Sequence, residues 1–141
     1  MAEAATILFV EDDDNDVVLV RRAFQKAGLT HCVIAVEDSF QAIAYLSGNP
    51  PFTDRNEHPF PDFVLLDLKL VGSSGFEVLT WLRDRPERKG LPVVAFSSSW
   101  IKADIETAKE LGADDYLVKP NGFEELIKVV KQLDERWLKR G

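Results

Sequence analysis

The stretch "EDDDND", Glu11 to Asp16, places five carboxylates within six positions, directly behind the apolar run "TILFV". Like charges this close oppose one another's ionisation unless a cation offsets them. A hard divalent ion such as Mg²⁺ takes oxygen ligands, keeps several waters and binds through one or two carboxylates plus phosphate oxygens. Its charge also keeps the acids ionised. Three more residues of reactive type stand at the ends of apolar runs: Asp67 closes "FVLLD", Ser97 closes "PVVAFS" and Lys119 closes "DYLVK". An aspartate held beside a metal can attack phosphorus and form an aspartyl-phosphate, and a neighbouring lysine offsets the transferred anion.

Each residue also has an ordinary explanation. Acids in the first turn of a helix gain about 0.3–1 kcal/mol each from the macrodipole, and Asp13, Asp14 and Asp16 are read as that alone. Glu11 and Asp12 divide evenly between capping and metal binding. Asp67 taken singly reads as a turn residue, Ser97 as a core hydroxyl and Lys119 as a solvated tip. What these readings leave out is the common placement of Glu11, Asp12, Asp67, Ser97 and Lys119 behind apolar runs.

Those runs are 6–10, 32–36, 63–67, 92–97 and 115–119, each apolar on nearly every residue. Strands read this way when both faces are covered, as in a parallel sheet. Helical spacing fills the gaps. Val17, Val20, Phe24 and Ala27 mark a helix over 15–28; Ile101, Ile105, Ala108 and Leu111 mark 101–111; Phe123, Leu126, Ile127, Val130, Leu133 and Trp137 mark 122–139. Capping boxes at Asp38 with Gln41, Ser74 with Glu77 and Asn121 with Glu124 predict three helix starts. The helix near Ile101 has no such box, which predicts a loosely held first turn. Five β-α units without a linker predict one domain over 1–141 with a core over 6–133, a doubly wound parallel sheet carrying helices on both faces. The stretch 47–62 holds four prolines and reads as an inserted surface loop. In such a sheet, sites form outside the carboxyl ends of the strands where strand order reverses, so the reactive residues are expected to converge on one edge.

Composition removes several classes of function. With 141 residues the chain buries a core without staples, and a net charge of −7 argues against a nucleic-acid or anionic-membrane surface. Cys32 is the one cysteine, so no internal disulfide forms; this fits a reducing cytoplasm, the expected location. The start has no basic n-region, and no apolar run approaches a membrane span.

From Ile7 to Leu133 the chain resembles a response regulator receiver domain, the phosphoacceptor part of two-component signalling. "VEDD" resembles the acidic pair, "VLLDLKL" with Gly75 eight residues after Asp67 the phosphoacceptor strand and loop, "LPVVAFSSS" the switch strand, and "GADDYLVKP" the last strand. The resemblance implies a flavodoxin-like (βα)5 fold with strand order 2-1-3-4-5. It implies Asp67 as the phosphorylated residue, with Mg²⁺ held by Glu11, Asp12, Asp67 and the backbone carbonyl of Lys69. Lys119 would contact the phosphoryl group, Ser97 would be the switch hydroxyl, Tyr116 the aromatic that turns with it, and Lys119–Pro120 a cis bond. The partner would be a sensor histidine kinase. The 47–62 loop and the "ERWLKRG" end resemble single-domain receivers paired with phytochrome-type kinases, with output by protein contact through the fourth helix, fifth strand and fifth helix, including a homodimer. Trp137 has two readings there: part of that face, or folded back onto its own core.

Three positions depart from the family pattern. Val71 stands four residues after Asp67 where receivers often carry proline, Lys69 replaces a small polar or acidic residue, and Ser97 replaces threonine. Three rival readings remain. A Mg²⁺-dependent aspartyl-phosphate phosphatase would use Asp12 and Asp14 and leave Asp67 unexplained. A flavin carrier would meet repulsion from "EDDD". A receiver-like module acting without phosphorylation has no need of Asp67, Ser97 and Lys119 together. His31 and His58 lack a partner cluster and are not read as metal ligands, Cys32 reads as a small core residue, and Gly72 and Gly75 read as turn residues.

Overall fold

Five short runs of Val, Ile, Leu and Phe form one parallel sheet whose three central strands are buried on both faces. The computed structural model describes residues 4–138. In chain order the elements are β1 (Thr6–Val10), α1 (Asp14–Lys26), β2 (Cys32–Val36), α2 (Ser39–Ser47), β3 (Phe63–Leu66), β4 (Lys69–Leu70), β5 (Ser73–Ser74), α3 (Gly75–Leu82), β6 (Val93–Ser97), α4 (Lys102–Glu110), β7 (Asp115–Val118) and α5 (Phe123–Leu133). The sheet order is β2-β1-β3-β6-β7, every pair parallel. Leaving aside the two-residue hairpin β4–β5, this is the expected order 2-1-3-4-5, and the fold is flavodoxin-like.

The two faces bury separate cores. Leu8, Val10, Val64, Leu66, Val93 and Ala95 pack under α2, α3 and α4, while Ile7, Phe9, Phe63, Leu65, Val94 and Phe96 pack under α1 and α5. Successive strand residues point to opposite faces, so a run apolar throughout serves both layers. Burial weakens at the sheet edges, and Cys32, at the start of edge strand β2, is exposed. Its expected place in the core is therefore corrected: an edge strand has a solvent side that periodicity does not reveal.

Helix starts follow local chemistry with three corrections. Asp38 caps α2 by accepting from the Gln41 N–H at 2.8 Å, but the Gln41 side chain accepts from the Glu37 N–H at 2.9 Å and so does not close the box on Asp38. Ser74 caps α3 through the Phe76 N–H at 3.1 Å. Glu77 does not complete the second box; it accepts from Ser39 Oγ at 3.1 Å and ties α3 to α2. α5 begins one residue later than expected, with Gly122 as its N-cap and no side-chain cap, so the Asn121–Glu124 box is absent. The helical pattern expected to residue 139 stops at Leu133 and continues as a π-helical turn, Asp134–Leu138; residue 139 lies outside the described residues. Leu138 is buried and Trp137 packs 6.5 Å from Phe63, so Trp137 is folded onto its own core.

His31 anchors this end of the molecule. Its Nδ1 accepts the Ala5 N–H at 2.8 Å, so Nε2 carries the proton and donates to Asp134 at 2.7 Å. The 47–62 loop is irregular as expected but well held: the Arg55 guanidinium donates to the carbonyls of Leu46 and His58, and Tyr45 donates to the Pro59 carbonyl. The cis bond among the described residues is Pro50–Pro51, and Lys119–Pro120 is trans, contrary to expectation. Trans is the lower-energy form of an X–Pro bond by about 0.5–1 kcal/mol, and in it the Lys119 ammonium already meets three carboxylates. Among the described residues no helix is long and apolar enough to cross a membrane.

Candidate functional site

The last rung of each ladder fixes one reactive residue. The Glu11 N–H donates to the Val36 carbonyl at 2.9 Å, the Asp67 N–H to Val10 at 3.0 Å and the Lys119 N–H to Ser97 at 2.8 Å. Parallel strands thus deliver all three side chains to one edge, at a depth set by backbone bonds rather than by flexible loops.

Lys119 Nζ is the hub. It donates to Asp67 Oδ2 at 2.9 Å, to Glu11 Oε1 and Oε2 at 3.0 and 3.2 Å, and to Asp16 Oδ2 at 2.8 Å. Asp67 Oδ1 accepts from the Lys69 N–H at 3.0 Å, and Asp12 Oδ2 accepts from the Val71 N–H at 2.6 Å. Glu11 and Asp67 are buried, and Asp12 is half-buried at the mouth. Oxygens of Glu11, Asp12 and Asp67 lie within 4.8 Å of one another. An all-oxygen carboxylate set of this kind suits a hard divalent cation and not a soft one. Four acids share the one ammonium of Lys119, and a divalent ion would supply the positive charge that the cluster lacks.

Asp16 was expected only to favour the helix N-terminus, and its ion pair with Lys119 corrects that. α1 is rotated so that this acid faces the cleft, and the length of Lys119 closes the remaining distance. Asp13 does cap α1, accepting from the Asn15 N–H at 2.9 Å. Asp14 is exposed and lies outside the carboxylate cluster, so the Asp12–Asp14 pair of a phosphatase is not assembled.

Crowding shows in the protonation of the acids. Burial is the main reason that the Glu11 carboxyl is pushed up to about 10, followed by hydrogen bonds with Asp67 and Asp16 and repulsion from Asp67, with Lys119 pulling the other way. Burial opposes the Lys119 charge, but bonds to Asp16, Asp67 and Glu11 outweigh it and hold the ammonium above its ordinary range. Burial likewise raises Asp16, yet bonds to Glu11 and Lys119 prevail and leave it lowered.

The pH dependence follows in sign. Folded Glu11 keeps a proton that the unfolded chain releases above 4.5, so the folded state binds more protons and stability falls as pH rises from 4.5 to about 10. Asp16, lowered, has delivered its stabilisation once pH exceeds its ordinary 3.8, and Lys119 loses its own only above 10.5. In chelator, the melting temperature is expected to drop between about pH 6 and pH 9 more steeply for the wild type than for Glu11→Gln, which mimics the protonated acid. Parallel slopes for the two proteins would contradict this assignment.

Ser97 is buried, and its Oγ accepts the Ser99 N–H at 3.2 Å. Tyr116 is half-buried on the α4 side, its hydroxyl donating to the Ser99 carbonyl at 2.6 Å. The two expected switch residues therefore meet at Ser99. Ser99 Oγ also donates to Asp104 Oδ2 at 2.6 Å, and Lys69 Nζ lies 3.5 Å from the same oxygen. The Ser99 bond, then the Lys69 charge, hold the Asp104 carboxyl below its ordinary range against burial. Sequence reasoning missed Ser99 and Asp104; a Ser-x-x-x-x-Asp spacing astride an uncapped helix start is the signal that marks them. It also missed the close approach of Gly75 to Asp67. A Cβ on Gly75 would lie 2.2 Å from the Asp67 carbonyl oxygen.

Residues 7–131 match the response regulator receiver domain family. The chain is similar to response regulator Rcp1 of Synechocystis sp., 32% identical over 132 residues that cover 94% of this chain and 88% of that protein. The crystal structure of the phosphorylated cyanobacterial phytochrome response regulator RcpA superposes with a TM-score of 0.87 at 32% identity, covering 96% of this chain and 95% of that one. The Mn²⁺-bound form of Rcp1 superposes with a TM-score of 0.82 at 31% identity, covering 95% and 94%. A parallel sheet of this order, with acids and a lysine gathered at its carboxyl edge and a family match over nearly its whole length, places the chain among the response regulator receiver domains of two-component signalling.

Proposed function

We propose that the whole chain acts as one receiver that accepts a phosphoryl group on Asp67 in a Mg²⁺-dependent reaction. The supporting observation is the Lys119 ammonium 2.9 Å from Asp67 Oδ2, with carboxylates of Glu11 and Asp12 within 4.8 Å of Asp67. In the reaction an Asp67 oxygen attacks phosphorus, a P–O bond forms, and the bond to the donor breaks with its electron pair leaving on the donor. Asp12, Asp67 and the Lys69 carbonyl would hold the cation, with Glu11 completing the set and orienting Lys119. When bound, the ion neutralises the charge developing on the phosphoryl oxygens. Lys119 binds one of those oxygens and Ser97 another. The chain has no turnover of its own to perform beyond assisting gain and loss of this group.

The donor is proposed to be a sensor histidine kinase, of phytochrome type on the strength of what the relatives are named for. The proposed output face is α4, β7 and α5, where Ile101 and Val118 are exposed, with Trp100 just ahead of α4. A second copy of the chain is one partner for that face; Trp137, packed on Phe63, is not part of it. The test is incubation with acetyl phosphate. A gain of one phosphoryl group is expected in Mg²⁺ or Mn²⁺ and none in chelator, and labelling that ignores chelator would overturn the mechanism.

A further inference from the structure

Lys69 reaches two ways from one backbone position. Its amide N–H donates to Asp67 Oδ1 at 3.0 Å, and its ammonium stands 3.5 Å from Asp104 Oδ2. Asp104 lies in the first turn of α4, whose N-cap, Ile101, supplies no side-chain bond. Ser99 takes the place of a cap: its Oγ donates to Asp104 at 2.6 Å and accepts the Ile101 N–H at 3.3 Å. Ser99 is itself held by the Tyr116 hydroxyl on its carbonyl and by its N–H on Ser97 Oγ. A polar chain therefore runs from Asp67 through Lys69, Asp104 and Ser99 to both Tyr116 and Ser97. It joins the phosphoacceptor loop to α4 on the outside of the molecule, apart from the buried route through Ser97.

The links differ in strength. The Ser99–Asp104 bond is short and charge-assisted. The Lys69–Asp104 pair is longer, and the Lys69 side chain is 59% exposed. Exposed pairs contribute little, so this is the link that yields first. Lys69 also lines the cleft that holds Asp67 and Lys119. A phosphoryl group there carries about −1.5 to −2 charges, up to twice that of the Asp104 carboxylate, and it would lie within reach of the same flexible arm.

We propose that Lys69 is a latch: in the unphosphorylated chain it pins the first turn of α4 through Asp104, and a phosphoryl group on Asp67 draws it away and frees that turn. The inference rests on the phosphoacceptor reading. Lys69 is here a positioning residue that acts on α4 through Asp104. The chain pairs a lysine two residues past its phosphoacceptor with an acid in α4, residues 35 positions apart in the sequence that only the fold brings together.

The test is amide exchange across 101–107 in the full chain, for wild type, Lys69→Met, Asp104→Asn and the double variant, first with Mg²⁺ alone and then with acetyl phosphate added. Asparagine keeps an acceptor for Ser99 but loses the charge that strengthens that bond, so the ion pair alone is read as the difference between the double variant and Asp104→Asn. With Mg²⁺ alone, each single variant is expected to exchange about two- to fivefold faster in the first turn of α4. The double variant should exchange no faster than Asp104→Asn, because the Lys69 contact is already lost there. Acetyl phosphate should bring wild type up to at least the level of Lys69→Met and move Lys69→Met less than wild type, by the part that arrives through Ser97. Wild-type exchange in the single variants, or additive effects in the double, would overturn the latch. A wild type that gains no phosphoryl group would overturn the receiver reading and the release step with it, a failure read in the mass and separate from the exchange of the unphosphorylated chain.

Discussion

Asp67→Asn is expected to reduce phosphoryl uptake from acetyl phosphate by at least roughly a thousandfold, as loss of a nucleophile does, while the chain stays folded. An amide oxygen is too poor a nucleophile to form the acyl-phosphate. The fold should tolerate the change because two effects oppose each other. Removing the carboxylate loses a charged hydrogen bond to Lys119 at 2.9 Å, a contact worth about 1.5–3 kcal/mol. It also removes the bond and repulsion that push the Glu11 proton affinity up. Freed of Asp67, Glu11 ionises more readily and strengthens its own pair with Lys119. The net change in stability is expected to lie within about 1 kcal/mol of wild type. Urea denaturation together with intact mass after labelling measures both halves. Full labelling of the variant would remove Asp67 from its role, and loss of the folded state would mean that the two charge effects do not offset each other.

Gly75→Ala is expected to lower the melting temperature by about 4–12 °C, corresponding to overpacking of about 1–3 kcal/mol in a chain of this size. The added Cβ would meet the Asp67 carbonyl oxygen at 2.2 Å, the Leu68 Cα at 2.9 Å and the Asp67 carbonyl carbon at 3.0 Å. All three are backbone, so no side chain can swing aside. Either α3 retreats, breaking the Gly75 N–H bond to the Leu68 carbonyl at 3.2 Å, or the loop carrying Asp67 moves. Because a misplacement of about 1 Å costs up to a hundredfold in rate, labelling of this variant should slow as well as its stability fall. A variant that melts and labels with wild type would mean that the α3 start does not set the position of Asp67.

The sheet and much of its reactive edge could be read from the sequence because one physical rule governs both. Strands covered on both faces are apolar throughout, so their ends stand out, and Glu11, Asp12, Asp67, Ser97 and Lys119 occupy those ends. What escaped reading depends on distances between elements. Asp16 looks like any first-turn acid until the rotation of α1 and the reach of Lys119 are known. Gly75 looks like a turn glycine because nothing near it signals that α3 presses on the backbone eight residues earlier. Cys32 belongs to a strand whose pattern is that of a central one, although β2 lies at the edge. The uncapped start of α4 was visible, but not that Ser99 and Asp104, tied through Lys69 to the phosphoacceptor loop, stand in for the cap. Asn121 offered a cap, but Gly122 takes the N-cap position of α5 without a side-chain bond, and nothing in the local sequence marks that shift of one residue.

Reduction of the acetyl-phosphate-treated chain with borohydride, followed by peptide sequencing, identifies the phosphorylated residue itself. The acyl-phosphate is converted to an alcohol, so the phosphorylated aspartate is left as homoserine. Homoserine is expected at position 67 and nowhere else, formed only when a divalent cation was present during labelling. Homoserine at position 12 or 16, or a phosphorylated chain that yields no homoserine, would contradict it.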